Sequence, residues 1–197
     1  MNNPASSFVK QVWLVLLLAI LLSGSLALVD ASLQPRIEQN QRTRLQNAVL
    51  EVVPGGQSSE EVESGKVNGQ TVYRVLGDDQ QTVVGWAIPA GTMGFADKIR
   101  MIVGLSADAN SITGLSILDS RETPGLGDNI KNDAFRQKYV GQPANVTLEV
   151  VKPGQTADHP IDAITGATIS SKAVTQGINQ QLAEVREALA GLTTGSP

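Results

Sequence analysis

Asp162-Ala163-Ile164-Thr165-Gly166-Ala167-Thr168, followed at once by Ile169-Ser170-Ser171, puts threonine hydroxyls on a Gly-Ala turn. Beyond it Val174, Ile178, Leu182, Val185 and Leu189 fall three or four residues apart, one apolar face at helical period. Ser170 or Ser171 suits the N-cap of that helix, and Gly191 is a natural stop. Thr168 is therefore expected at or just before a helix N-terminus. Unpaired amides and the positive end of the helix dipole point there and favour a phosphate. The chemistry on offer is phosphate binding by helix amides beside a threonine hydroxyl. The plainer use of the same residues is a helix cap.

A second stretch, Ser120-Arg121-Glu122-Thr123-Pro124-Gly125-Leu126-Gly127-Asp128, has a proline and two glycines within four residues. It predicts a tight loop whose backbone can approach a ligand. Polar side chains beside an exposed Leu126 suit a ring with an apolar face and a polar edge; an ordinary connector is the alternative. Lys172 falls in the first turn of the last helix, where it either pairs with a bound phosphate or faces water. His159, the single histidine, has no metal-ligand spacing around it and reads as a solvated loop residue.

The elements that position these stretches are read from period and breakers. Pro35 to Val53 predicts a helix ended by Pro54-Gly55-Gly56, and residues 55–70, rich in Gly, Ser and Glu, predict a loop. Strands are expected over Thr71–Leu76 and Thr82–Ile88, the latter broken by Pro89-Ala90-Gly91. Lys98–Leu105 and Ser111–Leu118 predict a hairpin. Asn132–Tyr139 predicts a short helix capped by Asn132, and Asn145–Val151 a further strand. Strands cluster and helices flank them with little βαβ alternation. That argues an α+β fold with a mostly antiparallel sheet.

At 197 residues and 41% hydrophobic, the chain suits one anchored domain with an ordinary core. A net charge of −4 and a pI near 5.0 argue against nucleic acid as a partner. The absence of cysteine excludes disulfides, Cys-ligated clusters and a c-type haem. Val12 to Val29 is apolar and uncharged, long enough for a transmembrane helix. A cleaved signal peptide is the competing reading. Lys10 lies on one side of the stretch and Arg36, Arg42 and Arg44 on the other, so the positive-inside count does not support an N-terminus inside the cell.

The string DAITGATISS closely resembles the flavinylation motif of FMN-binding domains, of the form D-x-x-S/T-G-A-T, and E-T-P-G-L-G recurs in the same domains. The resemblance implies FMN joined to Thr168 through a phosphoester by a flavin transferase, with Thr165, Gly166 and Ala167 forming the attachment turn. It implies that Glu122 and Thr123 bond the flavin or its ribityl chain, that Gly125 allows close approach, and that Leu126 packs on the ring. The segment Gly91-Thr92-Met93-Gly94-Phe95 is loosely similar to a glycine-rich stretch of that family. Taken whole, the layout resembles the G subunits of Rnf ion-translocating electron transport complexes. The C subunits of sodium-translocating NADH:quinone reductase, typically longer, are the closest alternative. A flavin carrier outside any ion pump is a further one. The layout then reads as 1–11 cytoplasmic, 12–29 spanning the membrane, 30–70 stalk helix and loop, 71–191 covalent FMN-binding domain and 192–197 tail. The resemblance further implies a bacterial inner-membrane complex that moves electrons between ferredoxin and NAD, couples this to ion movement, and holds the flavin on the periplasmic side. No general base, nucleophile or metal for independent turnover is visible.

Overall fold

The computed structural model describes residues 4–67, 70–152 and 154–193. The chain divides by packing into two units, at Thr43/Arg44. The first is the bulk of helix α1 (Pro4–Val52), and its apolar side chains from Val12 to Val29 lie exposed, none of them buried against protein. The helix runs through Pro35 instead of starting there. A proline removes one helical hydrogen bond, and water can take up the freed carbonyl on an exposed helix.

The second unit begins with the last turns of α1 and continues as a five-stranded antiparallel meander, β1 (Ser58–Val67), β2 (Gln70–Leu76), β3 (Val83–Met93), β4 (Lys98–Ser106) and β5 (Ile112–Asp119), in that spatial order. The stretch expected as a loop over 55–70 is therefore mostly an edge strand. An edge strand does not need an alternating apolar pattern; β1 instead offers Glu60 to Arg74 across the pair at 2.7 Å. β3 also outruns its expected end. It passes through Pro89, which pairs with Ile102 of β4, at a position beyond Ala87 where the register with β2 has stopped. The missing N–H of the proline costs no ladder bond there.

Central β4 is buried on both faces. Ile99, Met101, Val103 and Leu105 point to a core closed by the final helix α3 (Thr168–Thr193), which contributes Val174, Ile178, Leu182 and Val185. Burying each such side chain contributes about 1.5–3 kcal/mol. Leu189 lies outside the described side chains, and α3 continues past Gly191. On the opposite face, Ile102, Ala87 and Val75 meet Ala48, Val49, Val52 and Val53 from the end of α1. That end is also held by polar contacts. Thr113 Oγ1 donates to the Val52 carbonyl at 2.7 Å, which fills one of the orphan acceptors of a helix C-terminus, and Arg136 pairs with Glu51 at 2.7 Å.

Between β5 and α3 the chain makes a 3-10 turn (Gly127–Lys131), the one-turn helix α2 (Asp133–Arg136) and a second 3-10 turn (Gln137–Tyr139). Asn132 precedes α2, yet its side chain does not cap it; Nδ2 donates to Asn129 instead. Two short strands follow, β6 (Glu149–Val151) and β7 (Pro160–Asp162), paired in parallel. Only the last three residues of the expected strand 145–151 form one. Tyr139 is buried under α3 with its hydroxyl 2.6 Å from Thr175 Oγ1, and burial pushes its phenol pKa up while that bond pulls it down.

Candidate functional site

β7 delivers the chain to the start of α3. Ala163 N–H bonds the Val151 carbonyl at 2.8 Å, and Lys138 Nζ holds the Asp162 carbonyl at 2.9 Å, so the end of β7 is fixed. A reverse turn follows in which Ala167 N–H bonds the Ile164 carbonyl at 2.9 Å. Thr165 and Gly166 are its central residues, and Gly166 has φ +80°. This is the positive φ that the third residue of a type II turn requires. α3 then starts at Thr168 itself. Ser170 and Ser171 therefore lie within the first turn and are not its N-cap. Ser171 Oγ instead accepts from Ile164 N–H and donates to the Ala167 carbonyl, both at 3.0 Å, stitching the turn onto the helix. The amides of Thr168, Ile169 and Ser170 are first-turn donors with no helical acceptor available.

The second motif packs against this turn. Thr123-Pro124-Gly125-Leu126 forms its own reverse turn, closed by Leu126 N–H to the Thr123 carbonyl at 3.1 Å, with Gly125 at φ +75°. Gly125 is exposed, with no protein atom within 4 Å of where a side chain would go, and its positive φ serves the turn. Gly127 is closely packed. A Cβ there would fall 2.6 Å from Ser170 Oγ and 2.7 Å from Glu122 Oε2.

Glu122 is the hinge of the arrangement. It is 4% exposed. Its Oε2 accepts from Ser170 Oγ at 2.5 Å and its Oε1 from Ala96 N–H at 3.0 Å. Three segments are thereby joined: the E-T-P-G-L-G loop, the first turn of α3, and the turn after β3 at Gly94–Asp97. Each carboxylate oxygen of Glu122 accepts one bond from these segments.

A cleft of about 380 Å³ opens between the three segments. The loop contributes Glu122, Thr123, Leu126 and Gly127; the helix start contributes Gly166 through Ser170; Phe95 comes from the turn after β3. Six of the residues singled out in the sequence thus meet in one cleft: Thr168, Gly166, Ala167, Glu122, Thr123 and Leu126. Thr165, Gly125 and Lys172 do not line it. Phe95, Gly127, Ile169 and Ser170 line it without having been singled out as ligands. An exposed aromatic in a glycine-rich segment was the signal available for Phe95, and Ile169, 57% exposed at a helix start, stood directly beside the motif. Phe95, Leu126 and Ile169 form apolar walls, while the first-turn amides and the Thr168 hydroxyl supply the polar end. That combination fits a planar, partly apolar ring linked to a phosphate. Among the described residues no group of acidic or histidine side chains could hold a metal.

Residues 94–183 match the FMN-binding domain family. Over 110 residues the chain is 41% identical to the G subunit of the Na(+)-translocating ferredoxin:NAD(+) oxidoreductase complex of Acetobacterium woodii. That alignment covers 54% of this chain and 52% of the relative, so the chain spans about half of that protein's length. To the G subunit of the ion-translocating oxidoreductase complex of Pseudoalteromonas atlantica it is 30% identical over 181 residues, covering 82% of this chain and 80% of the relative. The chain belongs to the family of G subunits of ion-translocating oxidoreductase complexes. The fold of this family member is shared with a solved structure, the C subunit of the Na(+)-translocating NADH-quinone reductase of Parabacteroides distasonis. The TM-score is 0.62 at 21% identity, over 77% of this chain and 92% of that one.

Proposed function

We propose that this chain is the flavoprotein subunit of a membrane-bound, ion-translocating oxidoreductase, relaying electrons through FMN esterified to Thr168. The observation that carries the reading is the meeting of the two motifs. Thr168 stands on a pre-formed turn at a helix start, and the E-T-P-G-L-G loop closes the same cleft. FMN, when bound, supplies the redox chemistry, and the chain supplies attachment, orientation and electrostatics. Thr168 Oγ1 is the point of attachment. The first-turn amides of α3 face the phosphate, as helix N-termini do for anions. Leu126, Ile169 and Phe95 exclude water from the ring and hold it by apolar contact.

Family membership supports a wider reading. Val12–Val29 spans a bacterial inner membrane once, the FMN-binding domain stands on the periplasmic side, and the remaining subunits of the complex are its partners. The complex passes electrons between ferredoxin and NAD and couples them to ion movement. A separate flavin transferase performs the attachment. A domain outside the cytoplasm cannot rely on a cytoplasmic FMN pool, and an ester bond prevents loss of the cofactor. No turnover by the isolated chain is expected.

Denaturing electrophoresis of membranes from cells that coexpress a flavin transferase tests this. The expected result is flavin fluorescence that travels with the denatured chain, together with copurification of integral membrane subunits from the native host. Absence of fluorescence from the chain, when the transferase labels a control substrate, would contradict it.

A further inference from the structure

Glu122 is the only acid among the fully buried residues of the described structure, and none of the described ion pairs includes it. Arg121, the next residue, turns instead to Asp97 at 3.5 Å. A buried acid without a cation depends on hydrogen bonds to offset the cost of its burial, and Ser170 and Ala96 supply them. The clasp itself does not require a charge. A glutamine of the same shape would accept from Ala96 N–H and donate to Ser170 Oγ, satisfying both partners. What the acid adds is a fixed negative charge in the wall of the cleft that Thr168 shares.

We propose that Glu122 is an electrostatic positioning residue whose carboxylate holds the reduction potential of the Thr168-linked flavin down. This rests on the reading that FMN occupies the cleft. Electrons that reach the isoalloxazine ahead of their protons charge it negatively, and a carboxylate in the wall of the same cleft opposes that charge. The Ser170 hydroxyl, by donating to Oε2, partly offsets the charge. The chain thereby keeps its flavin a stronger reductant than the same cofactor in a neutral cleft.

The test uses the full-length chain in detergent, coexpressed with a flavin transferase, and titrated with dithionite as the electron source in the presence of mediators. Glu122→Gln is expected to raise the midpoint potential relative to the wild type. Ser170→Ala keeps the charge and removes the dipole that offsets it, and is expected to lower the potential. Opposite shifts separate a charge effect from loosening of the cleft, which would move both variants the same way. An unchanged potential in Glu122→Gln, or shifts of the same sign in both variants, would overturn the proposal. If Glu122→Gln fails to fold, Ser170→Ala decides, and a potential equal to or above the wild type overturns it. A wild-type chain that carries no flavin would instead refute the FMN reading itself.

Discussion

Ser170 Oγ donates to Glu122 Oε2 at 2.5 Å, joining residues 48 apart in sequence. This bond fastens the loop Glu122–Gly127 to the first turn of α3, and so fixes the distance between Leu126 and Thr168 across the cleft. The same carboxylate reaches Ala96, which sets Phe95 at the third side. One side chain therefore joins all three sides of the cleft.

Gly166 is held at φ +80°, and a Cβ added there would meet Leu126 Cδ2 at 3.2 Å. Gly166→Ala is expected to cost about 1–2 kcal/mol in chemical denaturation, the strain of a left-handed L-residue. Covalent flavin yield should fall with it, because the turn that presents Thr168 is the element strained. Unchanged stability and yield would show that the turn is not held as described.

Thr165 shares the turn with Gly166 but does not line the cleft. Thr165→Ser should retain covalent flavin at wild-type yield, read as flavin absorbance of the denatured chain. Loss equal to that of a Thr168 variant would move the attachment point.

Phe95 is 67% exposed and lines the cleft together with Leu126. Phe95→Ala should leave attachment intact, since the residue touches neither the turn nor Glu122 by hydrogen bond. It should increase quenching of the attached flavin's fluorescence by iodide. Equal quenching in both proteins would remove Phe95 from the ring's surroundings.

The end of α1 belongs to the folded domain. A chain truncated to begin at Arg44 retains Ala48, Val49, Val52 and Val53 and should unfold cooperatively in water. Beginning at Pro54 instead removes buried Ala48 and three buried valines, each valine contributing about 1.5–3 kcal/mol. It is expected to lose the cooperative thermal transition. A similar transition in both would show that this face of the sheet does not need the helix.

Tyr139 is buried, and its phenol pKa lies above the ordinary value of 10.0. The folded state then holds the proton more tightly than the unfolded state. The contribution is full below pH 10 and is lost as pH rises beyond it. Tyr139→Phe should cost about 0.5–1.5 kcal/mol at neutral pH through the lost Thr175 bond. It should also flatten the fall in stability between neutral and strongly alkaline pH. A variant with the same alkaline slope as the wild type would count against this.

What was legible in the sequence was local. The β4–β5 hairpin showed itself because its strands carry near-continuous apolar runs around a short polar turn, and α3 because its buried residues keep helical period. The placement of Thr168 at a helix start followed from the turn residues before it and the helical spacing of Val174 to Leu189 after it. What was hidden depended on partners far along the chain. β1 is polar because it is an edge, so its composition matches that of a loop. Pro89 has the signature of a breaker because the end of β2 pairing, which makes it harmless, is not visible from β3. β7 is three residues beginning with proline and carries no pattern. The bonds of Glu122 to Ser170 and Ala96 were hidden because nothing near it in sequence announces those partners. The close packing of Gly127 against α3 was hidden for the same reason.

The most direct test of covalent attachment is the intact mass of the full-length chain, coexpressed with a flavin transferase and measured beside its Thr168→Val variant. The account predicts a gain of one FMN less one water in the wild type and no gain in the variant. An unmodified wild-type mass, with the transferase shown to be active on a control substrate, would contradict it and leave the Thr165–Thr168 turn as a helix start alone.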